Sequence, residues 1–202
     1  MSTYYTIKEA KEGLFKEKGS KFLSFAFPVE SEEQVKEIQD NLRKEYYDAR
    51  HHCFAWVIGM DNQNWRANDD GEPAHSAGDP ILGQIRSFEL TNTLVVVVRY
   101  FGGTKLGVGG LIQAYKAATD DALSKARKVE IFETSELIMK FDYDMMSQAE
   151  RLITEFELQV KKRDFKSSCL IVSEIRNDQI SFFQEKIKDL YNMQFQIEGD
   201  DE

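Results

Sequence analysis

The sequence predicts an α+β protein of two domains, residues 1–130 and residues 131–202. Two observations carry this. Hydrophobic periodicity over the last seventy or so residues reads β-α-β-β-α-β, the split βαβ order of ferredoxin-like domains. The first 130 residues also mix strands and helices, and no repeat or low-complexity linker separates the two parts. With 202 residues, 42% of them apolar, the chain has enough side chains for a real core.

In the first domain, "LFKEKGSKFLSFAFPV" (14–29) predicts a hairpin or a bent strand pair around Lys18-Gly19. "SEEQVKEIQDNLRKEYY" (31–47) predicts a helix capped by Ser31, with Gln34 completing a capping box. "HCFAWVIG" (52–59) is apolar at successive positions and so predicts an interior strand. The polar segment 61–80 is rich in turn formers and reads as a functional loop. A short helix is expected over 80–90, with Pro80 in its first turn. "TLVVVVRYF" (93–101) predicts a buried strand, because β-branched side chains suit a packed pleat. Leu111, Ala114, Tyr115, Ala118 and Ala122 share one face of a helix predicted over 109–126.

The second domain is expected to begin near 128–133. Strands are predicted at 134–143, 158–165, 167–175 and 193–198, and helices at 144–157 and 177–191. Ile180, Phe183, Ile187 and Leu190 line one face of the last helix. This order implies a single antiparallel sheet with both helices on one side. The terminal "EGDDE" is expected to lack structure.

Net charge is −9. Residues 1–130 hold 17 Lys+Arg against 19 Asp+Glu; residues 131–202 hold 9 against 16. A protein that grips nucleic acid by bulk charge is usually basic, so any such contact here needs a local patch. No run approaches a membrane span, and "MSTYYTIKEAKEG" has no apolar leader region. Cys53 and Cys169 lie in different predicted domains, which fits a reducing cytoplasm without a disulfide.

Five of the ten residues in "FGGTKLGVGG" (101–110) are glycine. A strand, a glycine loop and a helix start form a common anion site, because the first helical amides lack partners. Arg99 and Lys105 would add charge beside the amides of Gly102, Gly103, Gly107, Gly109 and Gly110. Tyr100 and Phe101 offer rings for stacking, although aromatics at a strand end more often close the core. Established phosphate motifs fail: Val108-Gly109 stands where a Walker loop has Lys-Ser/Thr, and Ile112 stands where a dinucleotide motif has its last glycine. A tight turn with close packing explains the glycines equally well.

In "NDDGEPAHSAGDP", Asp69, Asp70, Glu72, His75 and Asp79 suggest a cation site, but EF-hand spacing is absent. The competing reading is an Asp-Gly turn whose acids pair with Arg99 or Lys105. "AHSAG" nearly spells a hydrolase nucleophile elbow, yet no strand precedes Ser76 and every histidine lies before it. Cys53 beside His51 and His52 suggests a thiol nucleophile, but its apolar strand favours an inert, buried thiol. Metal and cofactor are expected to be absent.

"DDGEP", an Ala-Gly step before "PIL", and "VVVVRYFGGTKLGVGGLIQAYKAA" together resemble the YigZ/IMPACT family, most densely over 69–118. The resemblance implies a first domain like the second domain of small-subunit ribosomal protein five. It implies a second domain like the last domain of elongation factor G. Eukaryotic members, with a different partner domain, regulate translation. For bacterial members the resemblance implies binding to nucleic acid or ribosomes. His75 stands where the family pattern usually has glycine, and Asp79 where it often has a basic residue.

The leading expectation is therefore a non-enzymatic, cytoplasmic, translation-associated protein that binds RNA or a ribosomal partner. Arg99, Tyr100, Lys105 and the loop amides would form the contact, with Asp69, Asp70 and Glu72 ordering the adjacent loop. Two alternatives stand: an enzyme acting on a nucleotide or phosphorylated small molecule at the same loop, and an adaptor docking a peptide on "DDGEP".

Overall fold

A computed structural model describes residues 4–61, 63–166 and 168–198. The acidic end from residue 199 and Ser167, at the start of an expected strand, lie outside the described residues. The chain divides into two compact units, one closing at Ile131 and the other opening at Phe132, both mixed α and β.

The first unit is built on a five-stranded antiparallel sheet. Its strands are β2 (Lys11–Glu17), β3 (Ser20–Pro28), β4 (His51–Ile58), β5 (Asn64–Asn68) and β6 (Thr93–Tyr100). The spatial order is β2-β3-β6-β4-β5, so the valine-rich β6 is central. Val95 and Val97 face one side of β6, and Leu94, Val96 and Val98 the other; each is at most 1% exposed. Burying one such side chain contributes about 1.5–3 kcal/mol.

Helix α1 (Glu32–Glu45) covers one face through Val35 and Leu42. Ser31 Oγ accepts from the Gln34 amide, and Gln34 Oε1 reaches back to the Glu30 amide, so the sequence-predicted cap forms. Helices α2 (Gly78–Ser87) and α3 (Gly107–Lys125) cover the other face with Ile81, Ile85, Ala114, Tyr115 and Ala118. Three strands were not expected. The polar segment 61–80 contains β5, an edge strand paired only with β4. The stretch expected as a boundary contains β7 (Lys128–Ile131), which pairs antiparallel with the third, β1 (Tyr4–Ile7).

The second unit follows the sequence-predicted order. Strands β8 (Thr134–Phe141), β9 (Gln159–Phe165), β10 (Cys169–Arg176) and β11 (Met193–Ile197) form an antiparallel sheet ordered β11-β8-β10-β9. Helices α4 (Met146–Glu155) and α5 (Ile180–Ile187) pack into one core with Leu137, Met139, Ile171 and Ile175. Phe156 and Phe183 meet edge to face at 5.1 Å in that core. Each helix is entered through a single 3-10 turn, at Tyr143–Met145 and Asn177–Gln179. Among the described residues, no helix is long and apolar enough to cross a membrane.

Candidate functional site

Strands β4 and β6 pair so that His51 lies opposite Arg99. Residues directly opposite on antiparallel strands share a face. The segment before β4 therefore lies with the glycine loop after β6 at one end of these interior strands.

The glycines of that loop do different jobs. A Cβ on Gly102 would sit 1.9 Å from the Gly19 carbonyl carbon, and its amide donates to Ser20 Oγ at 3.1 Å. Gly102 was expected to present a free amide; instead it packs against the β2–β3 turn. Gly103 and Gly107 adopt φ of +87° and +70°, left-handed geometry that bends the chain into α3. A Cβ on Gly109 would meet nothing within 4 Å, while on Gly110 it would lie 3.0 Å from Leu106 Cβ. Helix α3 has no side-chain cap and no acid in its first turn. The amides of Gly107, Val108 and Gly109 thus form an uncapped positive helix end.

This helix end borders a cavity of about 760 Å³. Arg50, His51, Arg99 and Lys105 line it together with the apolar side chains of Phe101, Leu106, Val108 and Leu111. Arg50 and Lys105 are exposed and have no ion-pair partner among the described residues.

Arg99 differs from the expected open cation. Its side chain is 7% exposed, and NH1 donates to Glu72 Oε1 at 2.6 Å; the Glu72 side chain is 4% exposed. The physical reason is burial, since a guanidinium held this deep needs a counter-charge. The same Glu72 oxygen accepts from the Tyr115 hydroxyl at 2.8 Å. Burial pushes that hydroxyl far above its ordinary range, with Cys53 and Glu72 adding to the effect. Cys53 hydrogen-bonds to the Asp69 carbonyl oxygen at 3.0 Å and to the Tyr115 oxygen at 3.2 Å. Burial drives its thiol pKa well up, which makes it a poor nucleophile.

The remaining acids of the loop organise backbone. Asp69 Oδ1 accepts from the amides of Ala77 and Gly78 at 2.9 and 2.8 Å, and Oδ2 from the His75 amide at 2.8 Å. It thereby caps α2 from across the loop. Burial raises the Asp69 carboxyl pKa, but the amides of Gly78, Ala77 and His75 outweigh it and hold the carboxyl below its usual range. Asp70 accepts from the His52 amide at 2.6 Å and from Arg43 at 3.0 Å. Asp79 pairs with His75 at 2.7 Å, and with neither Arg99 nor Lys105. Tyr100 donates to Asp48 at 2.7 Å, a bond that, with burial, pushes its hydroxyl pKa up to about 12. Among the described residues, no group of three His, Cys, Asp or Glu side chains is arranged to hold a metal ion.

Lys105, Arg99, Tyr100, Gly107 and Glu72 are thus brought to one cavity, whereas Asp69 and Asp70 act behind it. Sequence reasoning missed Arg50. Nothing local marks it; only the pairing of the two apolar strands, 52–59 with 93–101, would have placed it beside the loop.

Residues 18–123 match the Impact N-terminal domain. The chain is 31% identical to IMPACT family member YvyE of Bacillus subtilis over 192 residues, 95% of this chain and 88% of that protein. It is 31% identical to IMPACT family member YigZ of Escherichia coli over 182 residues, 89% of each. A crystal structure of a hypothetical protein, 28% identical, superposes over the full length of both chains with a TM-score of 0.73. By these matches over nearly its whole length, the chain belongs to the IMPACT family.

Proposed function

We propose that this protein binds RNA of the translation machinery through the cavity at the start of α3, and that it acts in translational regulation. One observation carries the reading: Arg50 and Lys105, with no ion-pair partner among the described residues, line one cavity with the uncapped amides of α3, on a chain whose net charge is −9, while the acids of that cavity, Glu72 and Asp48, are engaged by Arg99 and Tyr100. Such a focus of positive potential on an acidic protein suits phosphate. Translation enters through the family resemblance. Arg99 shapes the wall from within and takes its charge balance from Glu72.

The test is co-sedimentation with ribosomes or labelled RNA across a salt series. Arg50→Ala combined with Lys105→Ala should weaken binding at least tenfold and lower the salt slope by about two, roughly one for each phosphate no longer neutralised. Identical slopes for the variant and the parent protein would reject the assignment. Arg99→Ala is the wrong probe, because it strands the Glu72 carboxylate inside the protein. An enzyme working on a nucleotide at this loop remains the alternative that the same cavity suits.

A further inference from the structure

The cavity is lined by more than charge. A groove that follows a nucleic-acid backbone electrostatically has no use for apolar walls, yet Phe101, Leu106, Val108 and Leu111 line this one. Phe101 is 59% exposed, and its ring lies 5.7 Å from the Arg99 guanidinium. An exposed aromatic next to cations is the arrangement on which unpaired bases stack.

Two buried or half-buried groups add to this. The Arg99 side chain is 7% exposed, makes a single hydrogen bond among the described residues, to Glu72, and keeps a buried Nε with no partner. Its guanidinium is therefore held as an undersatisfied donor in the cavity wall. His51 Nδ1 lies 2.9 Å from the Asp70 carbonyl oxygen. A carbonyl only accepts, so Nδ1 is the donor, and this bond anchors the imidazole at the cavity wall. The volume of about 760 Å³ is in the range of small-ligand sites, roughly 300–1,000 Å³.

Building on the RNA reading, we infer that the cavity receives a single unstacked nucleotide. Its phosphate sits at Arg50, Lys105 and the first amides of α3, and its base lies against Phe101. The nucleotide comes either free or as an exposed residue of single-stranded RNA. A base inside an A-form duplex is covered on both faces and does not enter.

Fluorescence anisotropy on the full chain tests this with a labelled 12-nucleotide RNA, single-stranded or annealed to its complement. Calorimetry with adenosine monophosphate, ribose 5-phosphate and inorganic phosphate provides the free-ligand arm. The single strand should bind at least tenfold more tightly than the duplex. Phe101→Ala should remove about tenfold of single-strand affinity, and Phe101→Trp should keep it. Adenosine monophosphate binding with the same dependence on residue 101 assigns the site to a free nucleotide; single-strand binding alone assigns it to RNA, and either supports the inference. Equal affinity for duplex, or an unchanged single-strand affinity in Phe101→Ala, overturns it. If duplex binding persists, depends on Arg50 and Lys105 and ignores Phe101, only the nucleotide inference falls. If no RNA or nucleotide binds, the RNA reading falls as well.

Discussion

Arg99 and Glu72 meet at 2.6 Å with almost no exposure to water. In the unit from Phe132 onward, Arg163 pairs with Glu150 and Lys186 with Glu155, and all four of those side chains are at least 40% exposed. The backbones differ in the same direction. Outside glycine, Lys18, Asp70, His75, Glu89 and Asn92 adopt positive φ in the first unit, and Glu157 does so in the second. Buried charge and left-handed backbone are costly and persist only where surroundings impose them. The first unit carries that cost at the β2–β3 turn and the "DDGEP" loop, through Lys18, Asp70, His75 and the Arg99–Glu72 pair, and again between α2 and β6 through Glu89 and Asn92. The second relies on sheet-and-helix packing with its ion pairs in solvent, where they contribute at most about 1 kcal/mol each.

The largest expected effects separate the units. Glu72→Ala leaves Arg99 buried without its partner and should destabilise the first unit by about 3–5 kcal/mol. Phe183→Ala empties the centre of the second core and should cost about 3–5 kcal/mol there. Both tryptophans, Trp56 and Trp65, belong to the first unit. Urea unfolding followed by tryptophan fluorescence should therefore move with Glu72→Ala, while Phe183→Ala moves mainly the circular dichroism transition. A tryptophan transition indifferent to Glu72→Ala would break the contrast.

Gly102→Ala should cost about 2–3 kcal/mol, because the added methyl drives into the Gly19–Ser20 backbone. Next comes pH. Burial, aided by Arg43 and opposed by Asp70, holds the His52 pKa below its ordinary value of 6.5. Below that value the unfolded chain takes a proton that the folded one resists, so stability falls with pH until the folded pKa is reached. Asp69 adds a later loss: its pKa is depressed below 3.8, so its contribution is present above that value and disappears as pH drops through the folded pKa. All three histidines lie in the first unit, so the step starting near pH 6.5 belongs to it. Melting curves of His52→Phe should lack that step and retain the acid one.

The smallest effect has the opposite sign. Gly109→Ala adds a methyl in open space on a helix and should stabilise by about 0.5 kcal/mol while weakening RNA binding. Melting temperature and anisotropy, measured together, distinguish this residue from Gly102.

Sequence alone could reach the second unit because its information is local. Period-two and helical patterns succeed one another, and inward residues such as Leu137, Met139, Ile171 and Phe183 show up directly. The first unit hides its decisive pairings at long range. Asn64–Asn68 carries no alternation, since an edge strand bonded on one side can be polar on both faces. Helix α2 begins at Gly78 rather than Pro80 because Asp69, from outside the usual capping position, accepts its first amides. Glycine content between a strand and a helix located the loop, and charge suggested that the acids face Arg99 or Lys105. Only the folded chain shows that Glu72 is the acid that does so, and that Arg50 joins Lys105 at the cavity.

The ribbon of β1 and β7 has a mechanical consequence. Tyr4 pairs with Ile131 and Ile7 with Lys128, so the two ends at which a load would be applied to this unit lie side by side. Tension between them peels the ladder open rung by rung from Tyr4 and Ile131, instead of shearing every bond at once. Against pulling from its termini, the unit is a zipper gripped at its open end.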